Sequence, residues 1–274
     1  MHPHRIGGRG RPESRRLRRG RAEMAVFPAT TPKLFADFEV MATFKGVTVV
    51  TSRVDFDELV CSRQPVVYRP WRDADVTAMA ENVLQHSLDK RLPSRTFSPR
   101  TASSPPPYHE YYDYLWTSLW SNVRKATIAE LKASRRPWMI SGIDLRAKSG
   151  TPVMAALDAL MPEGASEQAT GCWLSGIGCA TAMHWDAFGP HNFHFLARGE
   201  KRLVLFAPEE AANIYCFGGA RYLSRFAAAV DPTRPVSLEC FPRYAHAAGL
   251  TATLREGDLV FIPAFWWHHL EHTG

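Results

Sequence analysis

The segment "TAMHWDAFGPHNFHF", residues 181–195, carries His184, His191, His194 and Asp186. In an extended chain residues i and i+2 face one side, so His184 and Asp186 project together while Trp185 points the other way. An imidazole beside a carboxylate supplies two ligands of a facial metal site, and a third must come from elsewhere. The segment "FIPAFWWHHLEH", residues 261–272, offers it. Its His268 and His269 are adjacent, so they face opposite sides of a strand and only one can enter a common interior. Two histidines and a carboxylate on one face of an octahedron leave three positions open. That suits non-heme Fe(II), which must take both a co-substrate and O2.

Such ligands need a rigid frame, and the sequence supplies strands. From Gly171 the polarity alternates with period two in "CWLSGIG", "ATAMHWD", "HNFHFLA", "KRLVLFAP", "LTATL" and "DLVFIPAFWWHHL". These runs are punctuated by Gly178, Gly189-Pro190, Arg198-Gly199 and Glu256-Gly257-Asp258, which predicts an antiparallel sandwich or barrel from about residue 171. The first half is more helical. "KGVTVVTS" and "PVVYRP" read as strands around a short helix in "VDFDELVCS". "DADVTAMAENVLQHSL" places Val76, Met79, Val83 and Leu84 on one helical face. "PSRTFSPRTASSPPP", residues 93–107, reads as a loop, and "YHEYYDYLWTSLWSNVRKATIAELKAS" mixes aromatics with helical periodicity. No internal repeat occurs.

The chain of 274 residues, 45% hydrophobic and 22% charged, is long enough for one large domain with its own core. It has no run of 18 or more apolar residues, so no helical span is expected, and no apolar secretory stretch opens it. The five cysteines, Cys61, Cys172, Cys179, Cys216 and Cys240, are odd in number and lack C-x-x-C spacing, which predicts reduced thiols and an intracellular protein. The basic excess is local: residues 1–22 hold eight arginines, and without them and Glu13 and Glu23 the remainder balances at 25 basic and 25 acidic residues. We therefore separate an Arg-rich tail, residues 1–23, from a domain over residues 24–274. The tail suits a nucleic acid, a nuclear address or a mitochondrial transit role. The alternative is translation from Met24 or Met41.

The motifs "TAMHWD", "HNFHFLARGEKRLVLFAP" and "GDLVFIPAFWWHH", in this order, resemble the JmjC-domain, cupin-like Fe(II)/2-oxoglutarate oxygenases. Within them the chain is most similar to the group that includes the hypoxia-inducible-factor asparaginyl hydroxylase and a small-heat-shock-protein-associated protein. The likeness covers residues 108–274, with a looser echo over 45–90 at "RQPVVYRPW". It implies a mainly β fold with flanking helices around a double-stranded β-helix (jelly-roll, cupin) core. It implies His184, Asp186 and His268 as the metal ligands and catalytic centre, with Fe(II) as metal, 2-oxoglutarate as co-substrate and O2 as oxidant. Thr181, Asn192, Lys201 and, from "DYLWTSL", Tyr114 take the family's co-substrate positions; Lys201 would meet the far carboxylate with hydroxyls from Thr181 and Tyr114.

Against these assignments stand plainer ones. His191 and His194 have no counterpart role in the family and read as packing or substrate-side residues. His269 and His272 read as residues behind the ligands or on the surface. Lys201 is flanked by Arg198, Glu200 and Arg202, and its register favours Lys201 inward with Arg202 outward. The chain stops six residues after His268, whereas the family continues, so a barrel without its last strand is expected, together with loss of C-terminal helices that serve a homodimer in some members. Three functions follow from the resemblance: hydroxylation of a protein or peptide side chain with release of succinate and CO2, demethylation or tRNA-base hydroxylation, and a non-catalytic metal-binding cupin. The compartment expected is nucleus or cytoplasm, with the mitochondrion as the alternative, and no membrane partner.

Overall fold

The computed structural model describes residues 42–70, 78, 81, 92–96, 124–135, 138–144, 158–159, 161, 171–186, 189–216 and 226–274. The Arg-rich tail, the segment read as a helix at 73–88 apart from residues 78 and 81, and Tyr114 lie outside them.

The chain enters through β1 (Thr43–Gly46) and β2 (Thr48–Val50), then α1 (Arg53–Cys61) and β3 (Val66–Tyr68). Helix α1 starts where Ser52 accepts the Asp55 N–H, and its buried Phe56 stacks on Tyr68 with ring centroids 4.7 Å apart. β4 (Leu92–Thr96) and β5 (Arg124–Ala126) follow, then α2 (Ile128–Ala133), opened by a capping box between Thr127 and Glu130, and β6 (Trp138–Asp144). The second half adds β7 (Gly171–Ser175), β8 (Asn192–Phe195), β9 (Lys201–Phe206), β10 (Ala248–Leu254), β11 (Leu259–Ile262) and β12 (Trp267–His272).

These strands form three four-stranded sheets in the orders β1-β10-β9-β12, β2-β3-β11-β8 and β5-β4-β6-β7. The first two face each other across one buried cluster. Leu203, Leu205, Leu254 and Leu270 come from the first sheet, and Val67, Val260 and Ile262 from the second. Alternation sends the intervening residues outward: Val204, Phe206 and Trp267 pack with Met183, Val236 and Tyr244, while Val66, Tyr68, Leu259 and Phe261 pack with Phe56. The mainly β, jelly-roll expectation is met.

Four local expectations need correction. Residues 93–96, the start of the segment read as loop from its Pro and Ser content, belong to β4, because pairing to β5 and β6 outweighs composition. Of the segment 108–134, residues 108–123 lie outside the described ones; among the rest the helical reading holds for Ile128–Ala133, and Arg124–Ala126 is a strand. "DLVFIPAFWWHHL" is two strands, β11 and β12, broken at Pro263 and turned at Phe265, whose φ is +65°. "ATAMHWD" is not a continuous strand: it pairs with β12 in isolated bridges, Ala180 to Glu271 and His184 to His268, rather than in a ladder.

Candidate metal centre

β12 places His268, Leu270 and His272 on the inner face of the first sheet, opposite Leu205, Leu203 and Lys201 of β9. β8 places Asn192 and His194 on the inner face of the second sheet, opposite Ile262 and Val260 of β11. The polar inner residues therefore gather beside an otherwise aliphatic interior.

His184, Asp186 and His268 converge there, with one ligand atom from each lying within 4.8 Å of the others. Asp186 Oδ1 is 3.8 Å from His184 Nε2 and 3.7 Å from His268 Nε2. Both histidines are buried, at 8% and 3% exposure. His184 Nδ1 lies 2.7 Å from the Ala182 carbonyl and His268 Nδ1 lies 3.0 Å from the Trp266 carbonyl. A carbonyl only accepts, so each Nδ1 carries the proton and each Nε2 presents a lone pair to the common point. Burial, reinforced by the neighbouring His268, pushes His184 down to about 3, so its imidazole is neutral at physiological pH. Burial pushes the Asp186 carboxyl up, and the two facing imidazoles with the Asn192 amide bring it below the usual range. Asn192 Nδ2 donates to Asp186 Oδ2 at 2.8 Å, leaving Oδ1 as the oxygen nearest both imidazoles. Two imidazole nitrogens and one carboxylate oxygen are the donor set of a facial metal site, and the residues fit Fe(II).

Lys201 sits further along the same face, only 5% exposed, while its neighbour Arg202 is exposed. The inward Lys201 and outward Arg202 follow the register read from sequence. Among the described residues no carboxylate pairs with Lys201. Burial pushes the amine down to about 8, against the opposing pull of Cys179 and Cys172. A buried cation without a counter-ion carries a desolvation cost that an anion beside it would offset. Thr181 lies between the two parts of the site: its hydroxyl accepts the Leu270 N–H at 3.1 Å.

Asn192, given a co-substrate position by the resemblance, donates its amide to Asp186. His191 accepts the Ala264 N–H on Nδ1 at 3.0 Å, which ties the chain after Asp186 to the turn before His268. His269 is not a surface residue: it is fully buried on the outer face of β12, with Nε2 3.9 Å from Asp231. His194 and His272, read from sequence as a packing or substrate-side residue and as one behind the ligands or on the surface, both lie in the interior. His194 Nε2 lies 3.1 Å from Lys201 Nζ, and His272 Nε2 lies 2.5 Å from Ser175 Oγ. The i+2 rule from Asn192 and the i+4 rule from His268 would have placed both inside.

A family model described as "Cupin-like domain" matches residues 120–274. HSPB1-associated protein 1 of Mus musculus is 32% identical over 108 residues, 39% of this chain and 22% of the relative. tRNA wybutosine-synthesizing protein 5 of Danio rerio is 31% identical over 96 residues, 35% of this chain and 27% of the relative. Jumonji C domain-containing protein 5 of Drosophila melanogaster is 30% identical over 102 residues, 36% of this chain and 23% of the relative. The matched part thus spans 22–27% of these relatives' own lengths.

Proposed function

The chain belongs to the cupin-like domain family of JmjC proteins, and on that premise we propose that it is an Fe(II)- and 2-oxoglutarate-dependent oxygenase that hydroxylates a protein side chain. One observation carries the reading: Nε2 of His184, Nε2 of His268 and Oδ1 of Asp186 face a common point, with their partner atoms turned away onto Ala182, Trp266 and Asn192.

Bound Fe(II), with 2-oxoglutarate and O2, supplies oxidative decarboxylation to succinate and CO2 and transfer of one oxygen atom to a substrate C–H bond. The chain's own contribution is positional. His184, Asp186 and His268 would hold the metal by one side and leave the other for reactants. Lys201, a compact cation on a flexible stem, would hold the far carboxylate of the co-substrate. Leu203, Leu205 and Leu270 keep the interior between these two ends apolar and dry.

A protein substrate is favoured because several relatives carry the name of a protein associated with another protein. A nucleic-acid substrate is the second reading, supported by the tRNA-modifying name of another relative. The test is calorimetric titration of 2-oxoglutarate into the full chain with Mn(II), beside His184→Ala and Lys201→Ala. Binding lost in both variants supports the co-substrate site, and a folded wild-type chain that does not bind overturns it. Mass spectrometry of candidate peptides then separates oxygen addition from loss of a methylene, and tRNA nucleosides provide the parallel substrate.

A further inference from the structure

Lys201 has one hydrogen-bond partner among the described residues, and it is an imidazole. Nζ lies 3.1 Å from His194 Nε2, within ordinary hydrogen-bond reach. An ammonium has three donors and no acceptor, so His194 Nε2 must accept and its proton must sit on Nδ1. Register explains how they meet: His194 lies opposite Val260 on the inner face of the second sheet, and Lys201 opposite His272 on the inner face of the first. The hydrogen bond therefore crosses the interior and links the two sheets. A lysine on four methylenes would otherwise lose side-chain freedom with nothing to fix its tip.

We propose that His194 is a positioning residue for co-substrate binding, a neutral Nδ1–H imidazole that holds Lys201 Nζ in place for the far carboxylate of 2-oxoglutarate. This rests on the oxygenase reading above. With one N–H of Lys201 taken by His194, two remain to form charge-assisted bonds to a carboxylate. His272 lies opposite Lys201 on β12, and its Nε2 is engaged by Ser175, so His194 is the imidazole that serves the amine. The arrangement also makes no demand for a protonated histidine. Burial, together with the Lys201 charge, keeps His194 well below its usual range, so a second cation does not compete with Lys201 for the interior.

The test uses the full chain with Mn(II) and 2-oxoglutarate as the titrant. His194→Phe keeps ring volume and removes the acceptor, and we expect affinity to fall about tenfold, the size of one oriented hydrogen bond. His194→Gln restores an acceptor and recovers most of that loss. Lys201→Ala serves as the control for the carboxylate site itself. A second readout needs no ligand: long-range 15N–1H spectra of the free chain should show His194 as the Nδ1–H tautomer, and the Lys201 Nζ resonance should move in His194→Phe. Wild-type affinity in His194→Phe, equal losses in Phe and Gln variants, or an Nε2–H tautomer each overturn the positioning role alone. A folded wild-type chain without 2-oxoglutarate binding overturns the oxygenase reading and this proposal with it.

Discussion

Asn192 and Asp186 are joined by a 2.8 Å hydrogen bond in which Nδ2 donates to Oδ2. The bond fixes the carboxylate's rotation and leaves Oδ1 as the ligand atom nearest the two imidazoles. Asn192→Ala should weaken metal binding about 10- to 100-fold, the usual effect of losing a residue that orients a ligand. Mn(II) titration followed by electron paramagnetic resonance measures this, and an unchanged affinity would show the carboxylate to be oriented by other groups.

Lys201 couples stability to function with opposite signs. As a buried cation without a carboxylate partner it is a burden on the empty fold, so Lys201→Met should leave the melting temperature unchanged or raise it by a few degrees. The same change should weaken 2-oxoglutarate binding by roughly 10- to 100-fold through loss of a charge-assisted contact. Calorimetry of the ligand-free chain and titration of the co-substrate check the two halves. A strongly destabilised Lys201→Met would mean the amine is a structural element instead.

Acid should destabilise the metal-free chain well before its carboxylates titrate. Burial lowers both His184 and His272 from about 6.5 to about 3, the latter also through the Lys201 charge. Between these limits the unfolded chain binds more protons, so the stabilisation is present above pH 6.5 and lost as pH falls toward 3. At pH 5 each histidine accounts for a loss of up to about 2 kcal/mol. Urea midpoints at pH 7.5, 6 and 5 should fall in that order, and a flat profile would contradict neutral burial. Saturating Mn(II) should restore part of the loss at pH 6, since metal binds only the folded chain.

Gly189 has φ of +63°, and a side chain there would collide with the Phe265 ring. Its N–H donates to the carbonyl of the candidate ligand Asp186 at 3.0 Å. Gly189→Ala should destabilise the chain by about 2–3 kcal/mol through strain and overpacking, and should loosen the metal. Thermal melting with and without Mn(II) reads both effects. Phe265→Ala in the same chain should recover the steric part.

The cluster of His184, Asp186 and His268 was legible as a candidate metal site because its information is local. His184 and Asp186 stand two apart, His268 follows a tryptophan pair, and the ordered motifs around them resemble one family. The pair does not sit on a regular strand, since His184 makes isolated bridges and Asp186 lies beyond regular structure. Strands after Gly171 were legible from period two. The strand at Leu92–Thr96 was hidden by Pro93 and Ser94, because its pairing to β6 is a tertiary fact. The contact between His194 and Lys201 was invisible as a pair, for it depends on two sheets facing each other; the inward face of His194 was readable from Asn192. Tyr114 lies outside the described residues.

β8 is four residues long and, among the described residues, pairs with β11 alone. It supplies Asn192 to the candidate ligand Asp186 and His194 to Lys201. Both functions thus ride on one reading frame. A slip of a single residue against β11 would turn both side chains outward and bring Phe193 and Phe195 in. The metal end and the carboxylate end would then fail at the same instant. On the proposed reading, β8 couples the two ends, so a chain folded to hold a metal would also be one folded to receive its co-substrate.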